Sequence, residues 1–136
     1  MLALEPVIVS RLRETLDAAW TVKGYTSDKG ERPGHALASV MFAAGAVSDV
    51  KAGAVALQPG WQVLLSAKQG ADAALLLDAA FAEVIASLHN WEPGSAGGRR
   101  WGALSLVRFA PPQYPLEGFV GIELLFSTTG RYHGQA

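Results

Sequence analysis

Cysteine is absent from this 136-residue chain. That removes disulfides, thiolate nucleophiles and cysteine-ligated metals together. It fits a reducing compartment without requiring one. Net charge is nearly absent too. Eleven Lys and Arg stand against 12 Asp and Glu, a formal charge of −1, so no global basic field gathers nucleic acid. Charged residues make up only 17% of the chain, where ~25% is typical of soluble domains. Abundant alanine and glycine explain part of that deficit, and surface covered by partner subunits would explain more. Long hydrophobic runs are also missing. The longest near-apolar stretch, Ala36 to Val47, is interrupted by Ser39 and Gly45, and it falls short of the roughly 20 residues a membrane helix needs. The start, Met1-Leu2-Ala3-Leu4-Glu5-Pro6, puts no basic segment ahead of an apolar run, so no secretory signal is expected. These absences lead to the expectation of a soluble protein that stays where it is made.

Clustered chemistry is the next absence. His35, His89 and His133 are far apart and lack metal-ligand spacing, and no H-E-x-x-H pair or aspartate-rich calcium loop occurs. His89 falls at a helix C-terminus, where a cation is favoured, and reads as a cap or a surface residue. His133 falls in a tail expected to fray. Ser95, in Pro93-Gly94-Ser95-Ala96-Gly97, has G-S-x-G spacing instead of the G-x-S-x-G of a nucleophile elbow, and it follows a helix, not a strand. Gly94 to Arg100 has the glycines and arginines of a phosphate cradle but not the P-loop spacing. Asp72, Asp78 and Glu83 share a helix without pairing, and solvated charges are the simpler reading. No catalytic residue, metal ligand or cofactor-binding residue is expected.

What is present is architecture. Half of the residues are hydrophobic, enough to bury a core in one domain spanning residues 1–136. From Pro6, Ile8, Val9, Leu12, Leu16, Ala19 and Trp20 recur on one face at helical spacing, which predicts a helix over Pro6 to Ala19. Thr21-Val22-Lys23 reads as a short strand. Tyr25 to His35 reads as a polar loop. Ala36 to Ala43 reads as a buried strand ended by Gly45, and Asp49 to Leu57 as a weaker strand. Pro59-Gly60 reads as a turn, and Trp61 to Ala67 as an aromatic-rich strand. Gly70 breaks it, and Asp72 is placed to cap a long helix from Ala73 to His89.

That helix carries a bulky stripe of Leu77, Phe81, Val84, Ile85 and Leu88, and a second smooth face of Leu75, Ala79, Ala82 and Ala86. Two apolar faces predict burial on both sides, one on the sheet and one against the N-terminal helix or a neighbouring subunit. Two strands follow, around Leu104 to Ala110 and Phe119 to Ser127. Their connection is too short for a parallel crossover. The fold class is therefore α+β: a single, mostly antiparallel sheet packed by a long central helix and an N-terminal helix. Trp20 and Trp61 read as core. Trp91 and Trp101 bracket the Gly/Arg segment, either anchoring its ends or serving as interface anchors.

The order of these elements, together with several local strings, resembles the tail-terminator (minor tail) proteins of long-tailed bacteriophages and prophages. The strings are Val7-Ile8-Val9-Ser10-Arg11-Leu12-Arg13, Arg32-Pro33-Gly34-His35-Ala36, Trp61-Gln62-Val63-Leu64-Leu65, Leu88-His89-Asn90-Trp91-Glu92-Pro93 and Gly118 to Ser127. The resemblance implies an α+β subunit of a homo-oligomeric ring, most often a hexamer, with no catalytic residues and no cofactor. Such a ring would sit on the tail tube protein, end tube growth and offer a surface to a head-completion or neck protein. DNA would pass through its lumen. It would be found in the virion tail, having assembled in the bacterial cytoplasm without a membrane. Three loops become the contact candidates: Ser27 to His35, Gly94 to Arg100 and Pro111 to Gly118. Within and beside them, Arg32, His35, Trp91, Arg99, Arg100, Trp101, Gln113 and Tyr114 are the candidate interface residues. A head–tail connector or neck subunit shares these features. A small oligomeric enzyme would need a convergent catalytic set, and a ligand-binding module would need an apolar pocket between helix and sheet.

Overall fold

The computed structural model describes residues 1–26, 28 and 35–135. Their elements run α1 (Leu4–Thr15), β1 (Thr21–Gly24), β2 (Ala36–Lys51), β3 (Ala54–Lys68), α2 (Ala73–Leu88), β4 (Gly94–Ala96), β5 (Arg99–Trp101), β6 (Ser105–Ala110), β7 (Phe119–Ser127) and β8 (Gly130–His133). Among these residues one sheet has the order β1-β2-β3-β7-β6, with β8 also joined to β3, and β4 and β5 form a separate hairpin. β1 runs parallel to β2, and every other pairing is antiparallel. The α+β class is as the sequence predicts, and the strands around Trp61, Leu106 and Phe119 share one sheet.

The core forms where the helices meet one face of that sheet. Leu4, Ile8 and Leu12 stack at four-residue spacing on α1 and are fully buried. Val40, Val63, Leu65, Leu124 and Phe126 supply the sheet side, and Leu77, Val84 and Leu88 the α2 side. Burying each side chain of this size contributes roughly 1.5–3 kcal/mol. A polar seam fixes the two helices to each other: Ser87 Oγ donates to Thr15 Oγ1 at 2.7 Å, and Arg11 Nε donates to the Ser87 carbonyl at 3.2 Å.

Several expectations need correction. α1 starts earlier and ends at Thr15, because the Asp17 side chain accepts the Ala19 N–H at 2.8 Å and turns the chain. Asp72 stands at the start of α2 but makes no side-chain cap hydrogen bond. α2 is covered on one side only: Leu75, Ala79, Ala82 and Ala86 are exposed, so the second apolar face does not meet α1. Phe81 is half-buried, in an edge-to-face pair with Phe109.

The largest departure is the hairpin of β2 and β3. Gly45 does not end β2, which runs on to Lys51. Asp49 to Leu57 is not one strand, since it contains the hairpin turn at Ala52-Gly53, where Gly53 takes φ 77°. Nor is Pro59-Gly60 a turn. Both residues are buried within β3. The Pro59 carbonyl accepts the Thr128 N–H at 3.3 Å, on the side where β7 gives way to β8. Its missing N–H therefore falls at a break in the neighbouring ladder and costs no bond to β2. His133 does not lie in a frayed tail, because β8 pairs it with Ala54.

Candidate interaction surface

The long hairpin becomes an arm because β2 outruns the strand beside it. β1 pairs only with Leu37 to Val40. Beyond that point, residues 42–51 of β2 are all exposed, and among the described residues nothing pairs with their outer edge. β8 supports the arm from the other side, pairing with Ala54 to Leu57 of β3. Eight residues from Ala44 to Lys51 carry the strand roughly 25 Å. Val47 and Val50 are 59% and 68% exposed. The arm's charges, Asp49 and Lys51, pair with each other at 3.9 Å.

Beside the distal part of the arm, next to β8, the β4–β5 hairpin replaces the loop expected at Gly94 to Arg100. Gly97 and Gly98 form its turn with φ of 62° and 77°, conformations that favour glycine. Trp101 anchors the hairpin. It is 1% exposed, donates Nε1–H to the Ala96 carbonyl at 3.1 Å and meets Tyr132 edge to face. Of its two readings, the anchor is realised, and its side chain offers no surface to a partner.

An open groove of about 590 Å³ lies here, with Arg99, Arg100, Arg131, Glu92, Asp49 and Thr129 on its walls. The Arg99 guanidinium stacks 3.5 Å from the centroid of the Tyr132 ring and donates to the Gly97 and Arg131 carbonyls. Arg100 meets Glu92 at 3.4 Å in an exposed pair. Three arginines against two carboxylates leave the groove positive. The α-amino group of Met1 donates to the Tyr132 hydroxyl at 2.9 Å, and its pKa is held below the ordinary value, first by burial and then by the charge of Arg99.

The opposite end of the sheet carries a different surface. His35 is exposed, and its carbonyl accepts the Lys68 N–H at 2.9 Å. The connection 111–118 meets the same end, where the Gln69 N–H reaches the Gly118 carbonyl at 2.9 Å. Tyr114 stands 84% exposed beside Leu116 at 54%. Gln113 is exposed, and its backbone N–H donates to Glu123 Oε1 at 2.9 Å. Next to this end, Gly70, Ala74, Leu77, Asp78, Val120 and Ile122 line an open apolar groove of about 520 Å³.

The sequence candidates thus fall into two groups at opposite ends of the sheet: Arg99 and Arg100 at the arm end, and His35, Gln113 and Tyr114 at the other. Trp91 is half-buried, with the Arg11 guanidinium 5.3 Å from its ring centroid, and belongs to the helix seam. Arg32 lies outside the described residues. His89 is exposed, and its Nδ1 accepts the Leu106 N–H at 3.1 Å. His89 is thus a surface residue, as one of its two readings had it, and the bond it makes caps a strand edge. Ser95 is exposed on β4, opposite Arg100. Among the described residues no three His, Asp or Glu side chains gather closely enough to hold a metal ion, and no helix is long and apolar enough to cross a membrane.

Sequence reading missed Glu5, which is fully buried and accepts the Thr26 N–H on Oε1 at 2.8 Å. Its place in the first turn of α1 was the available signal, since the N-terminal end of a helix favours a carboxylate. It also missed Arg131, which becomes a groove residue only once β8 is formed. No family model matches this chain, and no curated protein does.

Proposed function

We propose that this chain is a virion assembly protein of a long-tailed phage or prophage: a ring subunit that caps the tail tube, ends its polymerisation and offers a surface for head joining. The observation that supports this best is the arm. An apolar strand with an open edge reaches out of the fold, where a monomer would leave it in water. Natural monomers blunt such edges because they recruit other chains. The separation of contact surfaces fits the same role. A terminator needs lateral contacts to close a ring and two distinct axial faces, one for the tube and one for the neck. Here the positive groove and the Tyr114 connection lie at opposite ends of the sheet, with the strand edges between them. Lateral contacts of this kind are heterologous and close by rotation.

The test is reconstitution. The purified chain is mixed with tail tubes of the phage or prophage whose genome carries it, and tube ends are viewed by negative-stain electron microscopy. Rings seated on one end, and tubes that no longer elongate when tube subunits are added, are expected. A chain that never decorates tube ends and leaves elongation unchanged would sink the reading.

A further inference from the structure

Among the described residues the sheet ends in four strand edges: β1, β6, the distal part of β2 and the outer side of β8. They are not equally protected. On β8, Arg99 Nε donates to the Arg131 carbonyl at 3.3 Å. On β1, Arg13 donates from Nε and Nη2 to the outward carbonyl of Val22 at 3.2 and 2.9 Å. On β6, His89 Nδ1 takes the outward N–H of Leu106. These devices satisfy backbone groups that would otherwise recruit a strand. The distal part of β2 has no such cap among the described residues.

The direction of its backbone groups follows from its neighbour. Pro59 aims its carbonyl at Thr128, away from β2, and Leu57 pairs on that same side with Gly130. Groups on an antiparallel strand alternate in direction. Gly45 and Val47, opposite Pro59 and Leu57, therefore turn their N–H and C=O outward. On β6 the cap stops at Leu106. A bulge follows between Leu106 and Arg108, and the same alternation turns the N–H and C=O of Phe109 outward. Val107 and Phe109 are 56% and 64% exposed.

We infer that the distal edge of β2 in one subunit adds to the Val107–Ala110 edge of β6 in the next, so that neighbouring sheets continue into one another around the ring. This rests on the ring reading, because a ring needs two different patches on each chain. β1 and β8 cannot be the second patch, since Arg13 caps the Val22 carbonyl and Arg99 the Arg131 carbonyl. Exposed apolar side chains stand on both edges: Val47 and Val50 on the arm, Val107 and Phe109 on β6. Charge agrees. Arg108 is exposed on β6 with no ion pair among the described residues, and Asp49 on the arm is held only by a long contact to Lys51. The partner is a second copy of this chain, bound by main-chain hydrogen bonds and apolar cover.

Because the chain lacks cysteine, introduced cysteines report on their own. Arm variants Ala44→Cys, Ala46→Cys and Ser48→Cys are each mixed with Val107→Cys or Phe109→Cys and oxidised with copper–phenanthroline. At least one arm–β6 mixture should give a covalent dimer that its single variants do not. The same two cysteines in one chain should give a ladder ending at the ring size. Val47→Pro removes one outward donor and leaves the β2–β3 ladder whole. It should abolish the oligomer by native mass spectrometry without changing the circular dichroism spectrum. Dimers formed by the arm variants alone would mean arm-to-arm pairing and overturn the inference. A ring that survives Val47→Pro and yields no arm–β6 crosslink overturns it too, and leaves the ring reading standing. A wild-type chain that stays monomeric at every concentration, on tubes and off them, removes both.

Discussion

Trp101 and Gly130 show how much one contact can fix at the scale of a residue. A Cβ built on Gly130 would stand 2.5 Å from Trp101 Cζ3, and the ring is wedged under β8 with no exposed edge through which to move. Gly130→Ala should therefore destabilise the fold by ~1–3 kcal/mol through overpacking, read as a lower guanidinium midpoint at unchanged slope. Truncations should be graded by burial. Phe126 is fully buried, and Phe126→Ala should cost ~3–5 kcal/mol. Phe81 is half-buried against Phe109, and Phe81→Ala should cost about half that core value. Equal losses at the two sites would show that Phe81 is covered by another chain under the conditions of measurement. Residue roles were the least legible part of the sequence. Trp91 and Trp101 bracket the same Gly/Arg segment, yet one lies half-buried under Arg11 and the other is sealed in the core. What separates them is β8, whose Gly130 and Tyr132, distant in sequence, close over Trp101 beside the β4–β5 hairpin.

Elements were legible where hydrophobic period or apolar content was strong. The repeats of α1, α2 and β7 and the aromatic run of β3 predicted their types, with ends displaced by local side-chain bonds such as that of Asp17. The arm was misread because its signals are weak or inverted. Gly45 and Pro59-Gly60 are ordinary punctuation, but here they face each other across the hairpin. The true turn at Ala52-Gly53 has little turn chemistry. Gly60 belongs in the strand because a Cβ there would come 2.8 Å from the Ala44 carbonyl oxygen, so glycine permits the close approach instead of ending the strand. The short β4–β5 hairpin gives a cleaner test of local chemistry. Gly98 takes φ 77°, and a Cβ there would meet nothing within 4 Å, so only backbone strain opposes substitution. Gly98→Ala should cost ~1–2 kcal/mol. Gly70→Ala, equally uncrowded and without a positive φ, should be close to neutral in the same thermal unfolding series.

For the whole molecule, the fold class followed from element order, while the surface did not. Nothing in the linear sequence places Arg131 beside Arg99 and Arg100, because the groove exists only after β8 returns along β3. The geometry also divides the labour among these arginines. Arg99 stacks on Tyr132 and bonds two carbonyls, so it holds the hairpin as well as carrying charge. Arg99→Ala should cost about 0.5–1 kcal/mol, the value of a cation–π contact at an exposed site. Arg100 and Arg131 are exposed, and an ion pair like that of Arg100 with Glu92 adds little to stability. They are therefore the better probes of charge. Arg100→Glu with Arg131→Glu should leave the unfolding free energy within about 0.5 kcal/mol of the parent while inverting the sign of the groove. If the groove meets acidic tube residues or DNA crossing the lumen, that inversion places like charges in contact, and the repulsion grows as salt falls. Lysates carrying the double variant should then contain tubes of uncontrolled length, or tails without heads, in electron micrographs. Assembly in vitro should recover partly at high ionic strength. Normal tails and normal titres would remove the groove from the axial contact and leave the Tyr114 end and the strand edges as the working surfaces.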